Sequence, residues 1–165
     1  REVEVSLNRV LLPSYGVPER VGLQSRLSLL DALSAVAPLA IEASLRALFA
    51  GIPSDWYRRN PLAGFEGHYA SVFYSHLAGL GLDLRVEDAT NHGRIDLTVV
   101  MPGQVFLFEF KVVADAPEGH ALQQIRDKRY AEKYLGQGAD VHLIGVEFSR
   151  TARNVVGFEV ETITA

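Results

Sequence analysis

Asp96, Glu109 and Lys111 are the residues in this sequence whose types and spacing could do chemistry together. Two runs, Arg94–Met101 and Val105–Ala114, alternate clearly and are rich in β-branched and aromatic residues, so both read as strands. Between them lies Met101-Pro102-Gly103-Gln104, a turn sequence. A symmetric hairpin loop of two or four residues centred on Pro102-Gly103 sets Asp96 opposite Glu109 and Arg94 opposite Lys111. In the later strand Phe106, Phe108, Phe110 and Val112 form one wholly apolar face. Val105, Leu107 and Val113 share the other face with Glu109 and Lys111.

Like charges directly opposite in a sheet repel, and apolar neighbours make the repulsion worse. A divalent cation bridging both carboxylates is one solution, because hard Mg²⁺ takes oxygen ligands and needs only one or two carboxylates. Lys111, two residues on and on the same face, could then stabilise developing negative charge or orient a water. A surface face of cross-strand ion pairs is the competing reading, and the residues by themselves leave both open.

Other positions carry weaker signals. Gln124 and Lys128, four apart, share a helical sector with Ala121, Ile125, Ala131 and Leu135, where an amide or a snorkelling ammonium needs a partner. Glu66 falls in the first turn of its helix, where the helix dipole alone accounts for it. Tyr130 and Tyr134, among Arg126, Lys128, Arg129 and Lys133, could meet a nucleic-acid backbone and stack a base, or could be a solvated face with a core edge. The five histidines show no paired ligand spacing, and most read as surface or turn residues. A phosphate-cradling Gly-rich loop, a dinucleotide fingerprint and a nucleophile elbow are all absent.

The elements that must position these residues divide the chain in two. Residues 1–60 read as a helical linker or packing segment: an extended opening near Glu2–Leu12, a helix with Leu23, Leu27, Leu30, Leu33 and Val36 on one face, then Pro38 and a second helix over Leu39–Phe49 closed by Gly51-Ile52-Pro53. Residues 61–165 begin with Asn60-Pro61 as cap and first turn. A helix follows with Phe65, Tyr69, Val72, Phe73, Leu77 and Leu80 on its apolar face, ended by Gly79 and Gly81. Strands come next over Leu82–Glu87, Arg94–Met101 and Val105–Ala114, then a helix over Glu118–Leu135, a buried strand over Val141–Phe148 and a last one over Val155–Val160.

Composition bounds the function. A chain of 165 residues with 48% hydrophobic and 22% charged residues has the make-up of one folded domain with a real core. No stretch is apolar enough for a membrane span, and no signal-peptide pattern opens the chain. The absence of cysteine excludes disulfides, thiolate metal sites and cysteine nucleophiles and suits a reducing, cytoplasmic setting. Arg1 is not a methionine, so the expectation is a start inside a longer protein. A net charge of −4 gives no general attraction for nucleic acid. Fourteen of the twenty acids fall in residues 61–165, however, and a bound divalent ion would reverse the local sign.

The run Gly93-Arg94-Ile95-Asp96, then Phe108-Glu109-Phe110-Lys111, then Ala121-Leu122-Gln123-Gln124-Ile125 with Lys128 and Tyr130, resembles the PD-(D/E)XK nuclease superfamily. More narrowly it resembles the C-terminal nuclease-like domain of bacterial proteins whose N-terminal half is an AAA-ATPase-like domain. The resemblance covers essentially all of 61–165. It implies a restriction-endonuclease-like α/β fold, an αβββαβ core with a central mixed sheet flanked by helices, preceded here by a small helical segment. Asp96 is then the motif carboxylate of the second core strand, and Glu109 and Lys111 are the E-x-K of the third. Glu66 would be the acid contributed by the first core helix, and Gln124 the polar residue of the following helix, supported by Lys128 and Tyr130. Asp96, Glu109, the carbonyl of Phe110 and Glu66 would hold Mg²⁺ or Mn²⁺. Arg94, Arg126, Lys128, Arg129 and Tyr130 would contact nucleic acid, with DNA the expected substrate. Ile95 departs from the proline in the superfamily's name. The implied partners are nucleic acid and an ATPase-like domain of the same chain, with room for a homodimer. Two rivals remain: a non-catalytic nuclease-fold module that binds nucleic acid, and a module of protein assembly.

Overall fold

The computed structural model of the chain describes residues 19–52 and 64–165. The extended opening expected near Glu2–Leu12 and the Asn60-Pro61 cap lie outside those residues. The described part contains helices α1 (Glu19–Ser34), α2 (Pro38–Ala50) and α3 (Glu66–Ala78), then strands β1 (Asp83–Thr90), β2 (Gly93–Met101) and β3 (Gln104–Val113). Helix α4 (His120–Asp127), a 3₁₀ turn (Tyr130–Lys133), β4 (Asp140–Ser149) and β5 (Val155–Ile163) follow. The five strands form one sheet in sequence order, antiparallel except for the parallel β3–β4 pair that α4 crosses over. This is the restriction-endonuclease-like α/β fold, a mixed sheet between helices.

The alternation in β3 splits the core in two. Phe106, Phe108 and Phe110 face Tyr69, Phe73 and Leu77 of α3 and Ile41, Leu45 and Phe49 of α2. Val105 and Leu107 point the other way, against Leu122 and Ile125 of α4 and Tyr130 and Tyr134 beyond it. Aromatic contacts dock α3 onto the sheet: Tyr69 stacks on Phe148 at 4.0 Å, and Phe73 meets Phe108 edge-on at 5.1 Å. Contacts of this kind add about 0.5–1.5 kcal/mol each beyond simple burial. They fix the first turn of α3, where Glu66 sits.

Pro38 opens α2 at its first turn, and Gly51 closes it. The buried face of α1 is Leu29, Ala32 and Leu33, while Leu23 and Leu27 are exposed. Leucines at several helical phases made the spacing ambiguous, and packing against α2 selects the later set. Phe65, expected on the apolar face of α3, lies just before the helix and is exposed.

The helix expected over Glu118–Leu135 is broken. The α-helix ends at Asp127, Arg129 takes a left-handed φ of 48°, and a 3₁₀ turn follows. Ala131 and Leu135 therefore do not share a sector with Gln124. A cluster on β1 draws the chain away from the helix axis. Asp88 Oδ2 accepts from Thr98 Oγ1 at 3.1 Å and from the Tyr134 hydroxyl, while Oδ1 takes the Lys133 ammonium. Burial opposes the charge of Asp88, but these donors outweigh it and hold the carboxyl below its ordinary range.

Candidate active site

The β2–β3 hairpin turns in two residues, with Met101 paired to Gln104 and Gly103 at φ 74°. That register, continued, brings Asp96 opposite Glu109, but the ladder itself stops at Leu97 and Phe108. Beyond it the Asp96 carboxylate takes over a backbone role, accepting the Phe110 N–H at 2.8 Å. On the other side of β2, the pairing with β1 omits Glu87, which has a left-handed φ of 50°. Asp96 thus lies where both ladders are interrupted, with one carboxylate oxygen engaged by the Phe110 N–H.

Glu109 is 1% exposed. Its Oε1 accepts from Lys111 Nζ at 3.3 Å and from the Gln124 carboxamide, whereas its Oε2 is buried without a hydrogen-bond partner. Burial, then the charge of Asp96, push its pKa from 4.5 to about 7 despite the nearby Lys111. Asp96 is raised too, again chiefly by burial, with the Phe110 N–H and Lys111 pulling the other way. Lys111 also bonds Glu66 Oε2 at 3.2 Å. Burial works against its charge, but Glu109 and Glu66 prevail, so the ammonium is held above its ordinary range.

The side chains of Asp96, Glu109, Lys111, Gln124 and Glu66 therefore come together, from β2, β3, α4 and α3. A buried carboxylate oxygen with no donor costs free energy as it stands, and an oxygen-seeking divalent cation beside Asp96 fits that orphan. Glu66 is engaged with Lys111. Among the described residues, no three His, Asp or Glu side chains gather closely enough to hold an ion by themselves. Asp96 and Glu109 are the two carboxylates whose placement fits such an ion.

The expected nucleic-acid contacts separate into two groups. Arg94, Arg126, Lys128 and Arg129 are all exposed. Arg94 lies 3.6 Å from Glu87, Arg129 lies 3.8 Å from Glu132, and Arg126 donates to Glu161 at 2.7 Å. Tyr130 is instead 2% exposed and cannot stack a base. Its hydroxyl bonds Gln124 and the Arg94 backbone N–H. A Cβ on Gly93, at φ 149°, would come within 2.9 Å of that oxygen. The break at Arg129 turned Tyr130 inward, where it braces the amide that holds Glu109. Of the histidines, His76 and His142 are buried, and burial lowers both pKa values, His76 to about 4.

Two residues at the site escaped the sequence reading. Gly145 pairs with Glu109 across β3–β4, and Glu147 pairs with Lys111. Glu147 is 2% exposed and accepts backbone N–H groups at the start of α4. A signal was present, because a glutamate inside a strand read as wholly buried needs a partner.

The profile of the PD-(D/E)XK nuclease superfamily matches residues 64–158, more than half of the chain. A curated relative, "Uncharacterized protein in vnfD 5'region" from Azotobacter chroococcum mcd 1, is 55% identical over 163 residues. That alignment takes in 98% of this chain and 31% of the relative. The matched span runs from the α3 turn that carries Glu66 into β5 and contains Glu66, Asp96, Glu109 and Glu147, and on these grounds the chain belongs to the PD-(D/E)XK nuclease superfamily.

Proposed function

We propose that this chain is a nuclease unit that hydrolyses phosphodiester bonds of DNA with the help of a divalent cation, Mg²⁺ or Mn²⁺. The observation that carries the reading is the buried, partnerless Oε2 of Glu109 beside Asp96, with Lys111 hydrogen-bonded to the other oxygen. Asp96, Glu109 and the Phe110 carbonyl are the groups that would hold the ion, with Glu66 assisting from the rim. When bound, the ion would supply Lewis-acid stabilisation of charge on the scissile phosphate.

The remaining work falls to the chain's own groups. Lys111 stays protonated near neutrality, so its contribution is to orient the attacking water and to face developing negative charge. Gln124 holds Glu109 through Oε1 and leaves Oε2 free. Arg94, Arg126, Lys128 and Arg129 offer exposed cations to backbone phosphates. We further propose that the longer protein carries an ATPase-like domain N-terminal to this unit and acts in the cytoplasm.

The test is cleavage of supercoiled plasmid and single-stranded DNA with Mg²⁺, Mn²⁺ and EDTA, comparing wild type with Asp96→Ala and Lys111→Ala at matched folding. Metal-dependent cleavage lost in both variants supports the reading. Equal activity in all three proteins, or salt-dependent binding without any cleavage, overturns it.

A further inference from the structure

We infer that Glu147 is a positioning residue for this site: from β4 it fixes the start of α4 so that Gln124, one turn later, reaches Glu109. The inference rests on the proposed function for its catalytic consequence, but not for its geometry.

Helix α4 has eight residues, too few to be stable alone. Its N-cap position is Gly119 at φ 74°, which offers no side-chain acceptor. The first N–H groups of a helix must nevertheless find partners when buried. Glu147 provides them. Its Oε2 accepts from Glu118 N at 2.5 Å and Gly119 N at 3.1 Å. Its Oε1 accepts from His120 N at 2.6 Å and Ala121 N at 3.3 Å. A buried carboxylate thus occupies the positive end of the helix dipole, and its hydrogen bonds fix the height of α4 along β4.

Gly145, on the same face of β4, fixes the distance between helix and strand. A Cβ there would run into the backbone of Leu122, so α4 rests directly on the strand backbone. Gly145 is the cross-strand neighbour of Glu109. Glu147 and Gly145 together therefore set both coordinates of the turn that carries Gln124. The Gln124 carboxamide then occupies one oxygen of Glu109 and leaves the other as the orphan. Glu147 neighbours Lys111 in the β3–β4 ladder, but its carboxylate oxygens are taken up by the amides at the start of α4, and its effect passes through Gln124.

The experiment uses Glu147→Gln, which keeps side-chain size but removes the charge, and Glu147→Asp, which keeps the charge and retracts it. The first readout is the side-chain amide NMR signal of Gln124 in metal-free protein, assigned by its loss in Gln124→Ala. It is expected to move toward the free-amide position in both Glu147 variants. A signal unchanged in Glu147→Asp overturns the inference even if Glu147→Gln does not fold. The second readout is Mn²⁺-supported cleavage. Each of Glu147→Gln and Gln124→Ala is expected to lower kcat roughly ten- to hundredfold with KM for DNA unchanged, and the double variant should be no worse than Gln124→Ala alone. Additive losses would assign Glu147 a purely structural role. Should wild type cleave nothing, the proposed function falls, while the NMR readout still decides the role of Glu147.

Discussion

The carboxylate of Asp96 accepts the backbone N–H of Phe110 at 2.8 Å, just past the point where the β2–β3 ladder ends. One side chain therefore completes the sheet and faces the buried carboxylate of Glu109. The two duties separate by substitution. Asp96→Asn retains an oxygen for the Phe110 N–H, whereas Asp96→Ala leaves that donor unpaired at a cost of about 1–3 kcal/mol. Chemical denaturation is expected to show Asp96→Asn close to wild type and Asp96→Ala destabilised. Metal-dependent cleavage should fall in both by on the order of a hundredfold or more. Activity retained in Asp96→Asn would detach the residue from the chemistry.

Lys111 lies between Glu109 and Glu66, at 3.3 and 3.2 Å. Its ammonium competes with any cation for the charge of Glu109, yet it is the group positioned to meet charge on a phosphate. Lys111→Met should therefore divide the two effects. Single-turnover cleavage is expected to drop on the order of 10²–10³-fold, while Mn²⁺ affinity by calorimetry stays level or tightens. A parallel collapse of affinity would mean that Lys111 builds the metal site and does not act on the substrate.

That Asp96 and Glu109 face one another was legible because Pro102-Gly103 pins the hairpin and the period of two does the rest, although the ladder itself ends one pair earlier, at Leu97 and Phe108. The two faces of β3 were legible for the same reason. What escaped depends on contacts distant in sequence. Glu147 caps amides more than 25 residues before it, and nothing near Gly119 announces that the cap comes from a strand. The break at Arg129 follows from Asp88 capturing Lys133 and Tyr134, a cross-chain event invisible to local periodicity. Tyr130 consequently moved from an expected surface to the core.

That relocation makes its own prediction about nucleic-acid binding. Lys128→Ala removes an exposed cation and should weaken DNA binding while lowering the dependence of log affinity on log salt by roughly one unit. Tyr130→Phe keeps the buried ring and should leave DNA affinity within about twofold, since base stacking worth 1–3 kcal/mol is not at stake. Fluorescence anisotropy across a salt series at fixed temperature measures both. An affinity loss in Tyr130→Phe matching that of Lys128→Ala would return the tyrosine to the interface.

Glu109 also makes stability depend on pH in an uncommon direction. Its pKa rises from 4.5 to about 7 on folding, so the folded protein binds this proton more tightly than the unfolded chain does. The contribution is fully present below pH 4.5 and is lost as pH climbs through about 7, a difference of about 3 kcal/mol. Glu147 and Asp88 act oppositely, because their folded pKa values are lowered. The stability they contribute is present at neutrality and is lost only as pH falls through those lowered values. Between pH 5 and 8 Glu109, reinforced by the raised Asp96, is opposed by His68, His76 and His142, whose lowered pKa values make stability rise with pH. The Glu109 contribution is therefore read against a Glu109→Gln reference that keeps those histidines. Metal-free wild type should lose stability relative to Glu109→Gln as pH rises across that window, and Mn²⁺ should restore it by taking the place of the proton. Thermal melts of both proteins, in EDTA and in Mn²⁺ at half-unit pH intervals, measure the effect. Parallel pH profiles for wild type and Glu109→Gln in EDTA would show that the buried carboxylate is not held protonated by its surroundings.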